Sequence, residues 1–357
     1  MTRYLSAMSG GVDSTVATKL LLNDASAATI HGVTLALFDE KLQEHCSAQR
    51  DIMDAEHAAK KLGIDHFVLD FSNTFTAVVV KNFIDTFYAG FTPNPCVTCN
   101  KTIKFGRLID EAIALGYDYI ATGHYTKIEY DNATGRYLIK RATDLKKDQS
   151  YVLYTLSQHQ LSHIKFPLGY LSKSEVRDIA ESYGFLNASK SDSQDICFIS
   201  DGNYKKFLHD YTGKTELNGD FVDVAGNVLG RHSGLSNYTI GQRRGIELEM
   251  NKPIYIVNKD CATGKITVGD KEDLLSTKLI AKNVNFIPFD TLDKPIKVSA
   301  RTRYKQAETA AIISMIDEGK VLVEFDAPVS AITPGQSVAF YDGEYLVGGA
   351  IITDERA

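Results

Sequence analysis

The chain has 357 residues, of which 44 % are hydrophobic and 24 % charged, with a formal net charge of −6. That composition suits a globular chain of two or three domains and argues against a uniformly basic nucleic-acid binder. No apolar run approaches the length of a membrane span, five cysteines are too few and too scattered for a disulfide scaffold, and the first strand begins too close to Met1 to leave room for a signal peptide. A reducing, cytoplasmic compartment is expected.

The apolar run Tyr4–Met8 reads as a strand, and Thr15–Leu22 reads as a helix. Between them lies Ser9-Gly10-Gly11-Val12-Asp13-Ser14, a Gly-rich turn that offers backbone N–H groups and hydroxyls to an anion at a helix N-terminus. It is not a Walker A loop, because no Gly-Lys-Ser/Thr follows. Strands are predicted at 4–8, 30–37, 66–71 and 117–122, and helices at 14–23, 47–62, 74–89 and 101–115. This alternation implies an α/β fold, a doubly wound parallel sheet with its ligand site at the carboxyl ends of the strands. A further helix is predicted over Ser172–Tyr183, before a short apolar piece at 196–199.

After residue 202 the character changes. Turn signals recur at Asn218-Gly219-Asp220, Ala225-Gly226-Asn227 and Thr263-Gly264-Lys265. Strands are predicted at Ile296–Arg303, Ala307–Ile316, Lys320–Phe325, Ser337–Tyr341 and Tyr345–Ile352, with a hairpin turn at Asp342-Gly343. Three domains are therefore expected: a catalytic α/β domain over 1–201, a small mixed central domain over 202–274, and a C-terminal β-barrel over 275–357.

Charge is distributed unevenly. Basic residues gather at Lys101, Lys104 and Arg107; at Arg136, Lys140, Arg141, Lys146 and Lys147; at Arg231, Arg243 and Arg244; and at Arg301, Arg303 and Lys305. Such patches in an acidic chain suit phosphate contacts, although each alone also fits a solvated face. Cys96 and Cys99 are three apart, after Asn94, which can cap a helix, and Pro95, which suits a first turn. A helix N-terminus with Lys101 and Lys104 nearby is expected to lower the thiol pKa. A third thiol, Cys197, stands in Ser193-Gln-Asp-Ile-Cys-Phe-Ile199. By itself a Cys-x-x-Cys pair fits a redox pair or a partial metal site equally well.

The Ser9–Ser14 turn resembles the pyrophosphate loop of ATP pyrophosphatases, which transfer AMP to a substrate oxygen. With it occur, in order, Asn94-Pro-Cys-x-x-Cys-Asn-Lys101, Ala121-Thr-Gly-His-Tyr125, Lys147-Asp-Gln-Ser-Tyr151, Gln194-Asp-Ile-Cys-Phe198 and Tyr238-Thr-Ile-Gly-Gln-Arg-Arg-Gly245. This set resembles the tRNA-specific 2-thiouridylase family over essentially the whole chain. The resemblance implies a tRNA-uridine 2-sulfurtransferase. ATP adenylates the C2 oxygen of the wobble uridine, and sulfur from a cysteine persulfide replaces it, giving 2-thiouridine, AMP and pyrophosphate.

The resemblance assigns ATP binding to Ala7, Met8, Ser9, Gly10, Gly11, Val12, Asp13, Ser14, Leu35 and Gly123, with Mg²⁺ held near Asp13. It makes Cys99 the nucleophile and Cys197 the persulfide carrier, the two ending as a disulfide. Asn94, Pro95 and Cys96 would touch the target base. His124, Asp148, Gln149, Ser150, Arg303, Tyr304 and Gln336 would contact tRNA at its anticodon stem-loop. Family members differ at Cys96, some having Asp there, and a [4Fe-4S] cluster on Cys96, Cys99 and Cys197 is an alternative route. Ala7 replaces a common Gly, and Cys46 and Cys261 match no functional position. The implied sulfur donor is a relay protein chain that begins at a cysteine desulfurase. The rival within enzymes is another adenylating synthetase of the same loop type.

Overall fold

The computed structural model describes residues 1–24, 28–43, 48–185, 196–199, 201–214, 216 and 218–355. Cys46, and the Gln194-Asp195 part of the Cys197 motif, lie outside the described residues. The chain forms two compact units. The first comprises Met1–Val80, Pro95–Gly202 and Glu344–Leu346; the second comprises Lys81–Asn94, Asn203–Gly343 and Val347–Ala357.

The first unit is built on a parallel sheet. Strands β1 (Arg3–Ala7), β2 (Thr29–Ala36), β3 (His66–Asp70) and β4 (Tyr119–Ala121) all pair in parallel, in the order β3-β2-β1-β4. The predicted strands recur within a few residues, because strands covered on both faces read as unbroken apolar runs. Helix Val12–Asp24 crosses from β1 and packs Val12, Val16 and Ala17 against Tyr125, Leu168 and Val176. Helix Lys173–Ser182 adds Val176 and Ala180 to that cluster. It opens on a capping box, with Ser172 as the cap and Glu175 reaching back. Strand order reverses at β1, so the ligand crevice opens at the carboxyl ends of β1 and β4.

Three features of this unit were not expected. An antiparallel hairpin, β5 (Thr126–Asp131) with β6 (Arg136–Arg141), occupies the stretch that sequence presents as a basic cluster. A two-residue strand, β7 (Ile164–Lys165), extends the parallel sheet beyond β4. The predicted helix over 101–115 instead runs as three consecutive pieces, Pro95–Cys99, a π-helical Asn100–Arg107 and Leu108–Ala114. Gly106 sits where a Cβ would come within 2.9 Å of Lys101 O, so the wide turn needs glycine at that point.

In the second unit, β8 (Gly219–Val222), β9 (Val228–His232), β10 (Tyr255–Asp260) and β11 (Lys265–Gly269) form a sheet in the order β10-β11-β8-β9. Phe221, Ile256, Ile266 and Val268 fill its core. Helices Lys81–Tyr88 and Tyr204–Thr212 pack through Phe83 on Phe207 and Phe87 stacked on Tyr204 at 4.6 Å.

Strands β12 (Leu275–Phe286), β13 (Ile296–Arg301), β14 (Thr309–Asp317), β15 (Lys320–Ser330), β16 (Ser337–Asp342) and β17 (Tyr345–Ile352) run in the order β12-β15-β14-β13-β16-β17, and β17 pairs back onto β12 to close a barrel. Its interior takes alternate residues, among them Val321, Val323 and Phe325 of β15. Gly343, at φ 56°, makes the turn between β16 and β17 as the Asp-Gly pair predicts. No helix among the described residues is long and apolar enough to cross a membrane.

Candidate active site

The Gly-rich turn is tied to the sheet on one side and to the helix on the other. Met8 is buried; its N–H donates to Val33 O at 2.8 Å, and Thr34 Oγ1 donates to Met8 O at 2.7 Å. Ser14 Oγ accepts from the Ser9 N–H and donates to Gly11 O, both at 3.1 Å. Thr15 Oγ1 donates to the same carbonyl at 3.0 Å. Gly10, at φ 72°, leaves only 2.4 Å between an added Cβ and Asp51 O. Ala7 ends β1, and Leu35 stands half-buried near the end of β2, outside the apolar core.

Gly123 follows β4, where a Cβ would lie 2.8 Å from both Asp13 C and Ser14 N. Sequence suggested that a nucleotide packs on this backbone. Gly123 thus packs against the loop's own main chain, where no larger side chain would fit. Asp13 is also more engaged than expected. Lys173 Nζ, on a side chain only 9 % exposed, donates to both carboxylate oxygens at 2.7 and 2.9 Å, and Tyr125 Oη donates to Oδ1 at 2.7 Å. An ammonium thus already holds the place of a counter-cation.

The three thiols lie in the same unit. Cys99 is buried near the start of the long helix, whereas Cys96 presents surface. Cys197 is also exposed, and Phe198 beside it is buried edge-on against Phe75 at 5.8 Å. Cys197 lies close enough to Cys96, Cys99 and Lys104 for their charges to act on it. Burial pushes the Cys99 thiol up to about 11, with Lys104 pulling it back only partly. Cys96 and Cys197 are raised for the same first reason, because protein atoms crowd their sulfurs even where each residue keeps a solvent face. This overturns the expectation of a lowered thiol pKa; desolvation outweighs the helix end and the lysine. The neighbouring Asn100 is buried, donates from Nδ2 to Val152 O at 3.3 Å, and leaves Oδ1 without a partner.

Several residues expected to contact RNA make internal hydrogen bonds. Asp148 and Ser150 are buried: Asp148 accepts from the Ala142 N–H at 3.0 Å and from Ser150 Oγ at 2.7 Å. Gln149 Oε1 accepts from the Tyr125 N–H at 2.9 Å. His124 is buried between Phe105 and Phe166, shares a hydrogen bond with Thr122 Oγ1 at 2.7 Å, and is held well below the usual histidine range by burial and then by Lys104.

Asn94, Arg303, Tyr304 and Gln336 belong to the second unit. Gln336 Nε2 donates to Thr92 O and Pro93 O at 3.2 and 2.8 Å, and Arg303 donates to Ile240 O at 2.8 Å and Ala331 O at 3.1 Å. Tyr304 is exposed. Lys173 and Tyr125, the partners of Asp13, are the residues of this site that sequence reasoning missed. Their link to Asp13 spans 160 and 112 positions and leaves no local signal.

Three family models match the chain in succession: a tRNA methyl transferase HUP domain over residues 2–201, a tRNA methyl transferase PRC-barrel domain over 205–270, and an aminomethyltransferase beta-barrel domain over 276–352. The tRNA-specific 2-thiouridylase of Acetivibrio thermocellus is 43 % identical over 97 % of each chain. A namesake from Caldanaerobacter subterraneus subsp. tengcongensis is 47 % identical over 98 % of this chain and 97 % of that one. The chain belongs to the tRNA-specific 2-thiouridylase family. Among solved structures, the U34-tRNA thiolase NcsA of Methanococcus maripaludis is similar at 20 % identity, covering 59 % of this chain and 66 % of that one, with a TM-score of 0.36.

Within this 2-thiouridylase-family site, no group of three or more His, Cys, Asp or Glu side chains among the described residues is arranged to hold a metal ion. The three thiols therefore do not fit a [4Fe-4S] cluster in this arrangement. None of Cys96, Cys99 and Cys197 is in a disulfide.

Proposed function

We propose that the chain is an ATP-dependent tRNA-uridine 2-sulfurtransferase acting on the wobble uridine. The observation that carries this reading is the placement of Cys99 and Cys197 in the unit that also holds the pyrophosphate loop, near enough for their charges to act on each other. An adenylating synthetase has no use for these thiols in its nucleotide-binding unit. The near full-length relatives named as 2-thiouridylases support the same reaction.

ATP binds with its phosphates over Ser9–Ser14, where loop N–H groups and the helix end favour anions. The uridine C2 oxygen attacks the α-phosphorus; pyrophosphate leaves, and the oxygen becomes part of an AMP leaving group. Mg²⁺ accompanies the nucleotide and neutralises phosphate charge. The terminal sulfur of a Cys197 persulfide attacks C2 and expels AMP. The Cys99 thiolate then attacks Cys197 Sγ, which releases 2-thiouridine and leaves a Cys99–Cys197 disulfide. A two-electron reductant restores both thiols. Protonated Cys99 must lose its proton before that step, and Lys104 is the cation that favours the thiolate.

The substrate is tRNA, gripped through its anticodon stem-loop. Asn94, Pro95 and Cys96 face the extruded base, and His124, Asp148–Ser150, Arg303, Tyr304 and Gln336 shape or line the RNA path. Residues 1–201 are the catalytic domain, 202–274 the central RNA-binding domain and 275–357 the barrel. Sulfur reaches Cys197 from a relay protein fed by a cysteine desulfurase.

The test is incubation with unmodified tRNA, ATP, Mg²⁺, a protein persulfide donor and a thiol reductant, followed by nucleoside mass analysis. Wild type should give 2-thiouridine, and Cys99→Ser should give none. Cys197→Ser should lose activity with a protein persulfide donor. AMP formation without 2-thiouridine in wild type would overturn the reading.

A further inference from the structure

The Tyr238–Gly245 motif takes no part in the chemistry above, yet it is braced from every side. Tyr238 is buried against the rings of Phe221 and His232. Gln242 spans the turn: its N–H donates to Thr239 O at 2.9 Å, its Oε1 accepts from the Thr239 N–H at 3.1 Å, and its Nε2 donates to Arg244 O at 2.9 Å. The Gly241 N–H donates to Ile256 O, and the Ile256 N–H donates to Gln242 O, which locks the turn onto β10. Gly241 has φ 84°, and a Cβ there would lie 2.7 Å from Ala331 Cβ. Arg303 holds Ile240 O from below.

At the tip stand Arg243 and Arg244, both exposed. Neither guanidinium has a side-chain or backbone partner among the described residues. The other basic clusters are largely committed. Arg107 pairs with Glu111, Lys140 with Glu129 and Glu344, Arg231 with Asp220, and Arg301 with Glu308. Lys101, Lys146 and Lys305 stay exposed, but as single ammonium groups on long stems. Nearby Glu247 acts on Lys205, which itself lies over the Tyr238 ring. Two adjacent guanidiniums on a fixed turn repel each other and gain nothing from the protein. They suit an external anion with oxygens in a fixed fork, which is phosphate.

We propose that the Thr239–Gly245 turn is a phosphate clamp for the tRNA backbone, with Arg243 and Arg244 fixing the orientation of the RNA and leaving base choice to the active site. This rests on the reading of tRNA as substrate. Phosphate contacts position a nucleic acid without reading its sequence.

The experiment is tRNA binding to the full chain over a range of KCl concentrations, for wild type, R243A/R244A and R243K/R244K, with thermal unfolding as a check on folding and 2-thiouridine formation measured alongside. Loss of two contacts should weaken binding roughly tenfold and lower the salt slope by about 1.5 to 2. The lysine pair should regain most of the slope but not all the affinity, because the fork is lost. KM for tRNA should rise in the alanine pair while kcat at saturating tRNA holds. Affinity and slope equal to wild type in folded R243A/R244A overturn the clamp even if wild type makes 2-thiouridine. A wild type that binds tRNA through these arginines but forms no 2-thiouridine supports the clamp and overturns the proposed reaction. A wild type that does not bind tRNA overturns both.

Discussion

Replacing Lys173 by Met keeps the stem and removes the ammonium that holds Asp13. The lost interactions are two charge-assisted hydrogen bonds at 2.7 and 2.9 Å. Stranding one member of a fully buried pair costs about 3–5 kcal/mol. Here the Lys173 side chain is 9 % exposed but that of Asp13 is 32 % exposed, so water takes over part of the role. Asp13 also keeps the Tyr125 donor. A discounted cost of about 1–3 kcal/mol is expected. Asp13→Asn should relieve most of it in the double variant, because the unpaired charge is then gone. The assay is urea unfolding combined with hydrogen exchange at the amides of Val12–Asp24, since a chain of several units need not unfold in one step. A cycle of the single and double variants should show coupling of about 1–2 kcal/mol. A single variant within about 0.5 kcal/mol of wild type, the ordinary range of a surface change, or a strictly additive cycle, would refute the idea that this pair anchors the loop.

Gly123→Ala should disable ATP use more than it destabilises the fold, since its Cβ would press on the backbone of Asp13 and Ser14 at 2.8 Å. tRNA-dependent AMP release should fall at least about tenfold, as a shift of the loop by a fraction of an ångström spoils positioning; unchanged release would refute it. With Cys99 near 11, its alkylation by iodoacetamide should climb about tenfold per pH unit from 7 to 9. Lys104→Met should slow that alkylation further, and a plateau below pH 8 would show that burial does not control the thiol. Lys259 is pushed down by burial to about 8 from an ordinary 10.5, so between those values the unfolded chain binds more protons than the folded one. Stability should therefore rise as pH rises from about 8 to about 10.5, by up to about 3 kcal/mol, and Lys259→Met should flatten that rise. An identical slope in the variant would assign it to other groups.

The parallel strands and the Ser9–Ser14 turn were legible because their signals are local: apolar runs, two glycines, a strand followed by a helix. The barrel strands showed through alternation and the Asp342-Gly343 turn. The β5–β6 hairpin was hidden because its strands carry Lys127, Arg136, Lys140 and Arg141, which read as a charge run. The π-helical stretch after Cys99 has the same residue types as an ordinary helix. The thiol environment misled for a different reason. The helix end and lysines that lower a pKa are visible in sequence, whereas the desolvation that outweighs them comes from residues distant along the chain. For Asp148, Ser150 and His124 the motif pointed to RNA contact, and only packing reveals that their side chains turn inward.

The wide helical turn over Asn100–Arg107 has a consequence of phase. Bonding to the fifth residue rather than the fourth sets the angular position of everything before it relative to everything after it. Ile103, Phe105, Leu108 and Ile109 moor one end in the interior, while Cys96 and Cys99 ride on the other. Removing a single residue between them would return the segment to an ordinary spiral and swing the sulfurs about 100° around the axis. The direction in which Cys96 and Cys99 point is thus fixed by one surplus residue in a rod, and insertions or deletions there would be felt more keenly than most substitutions.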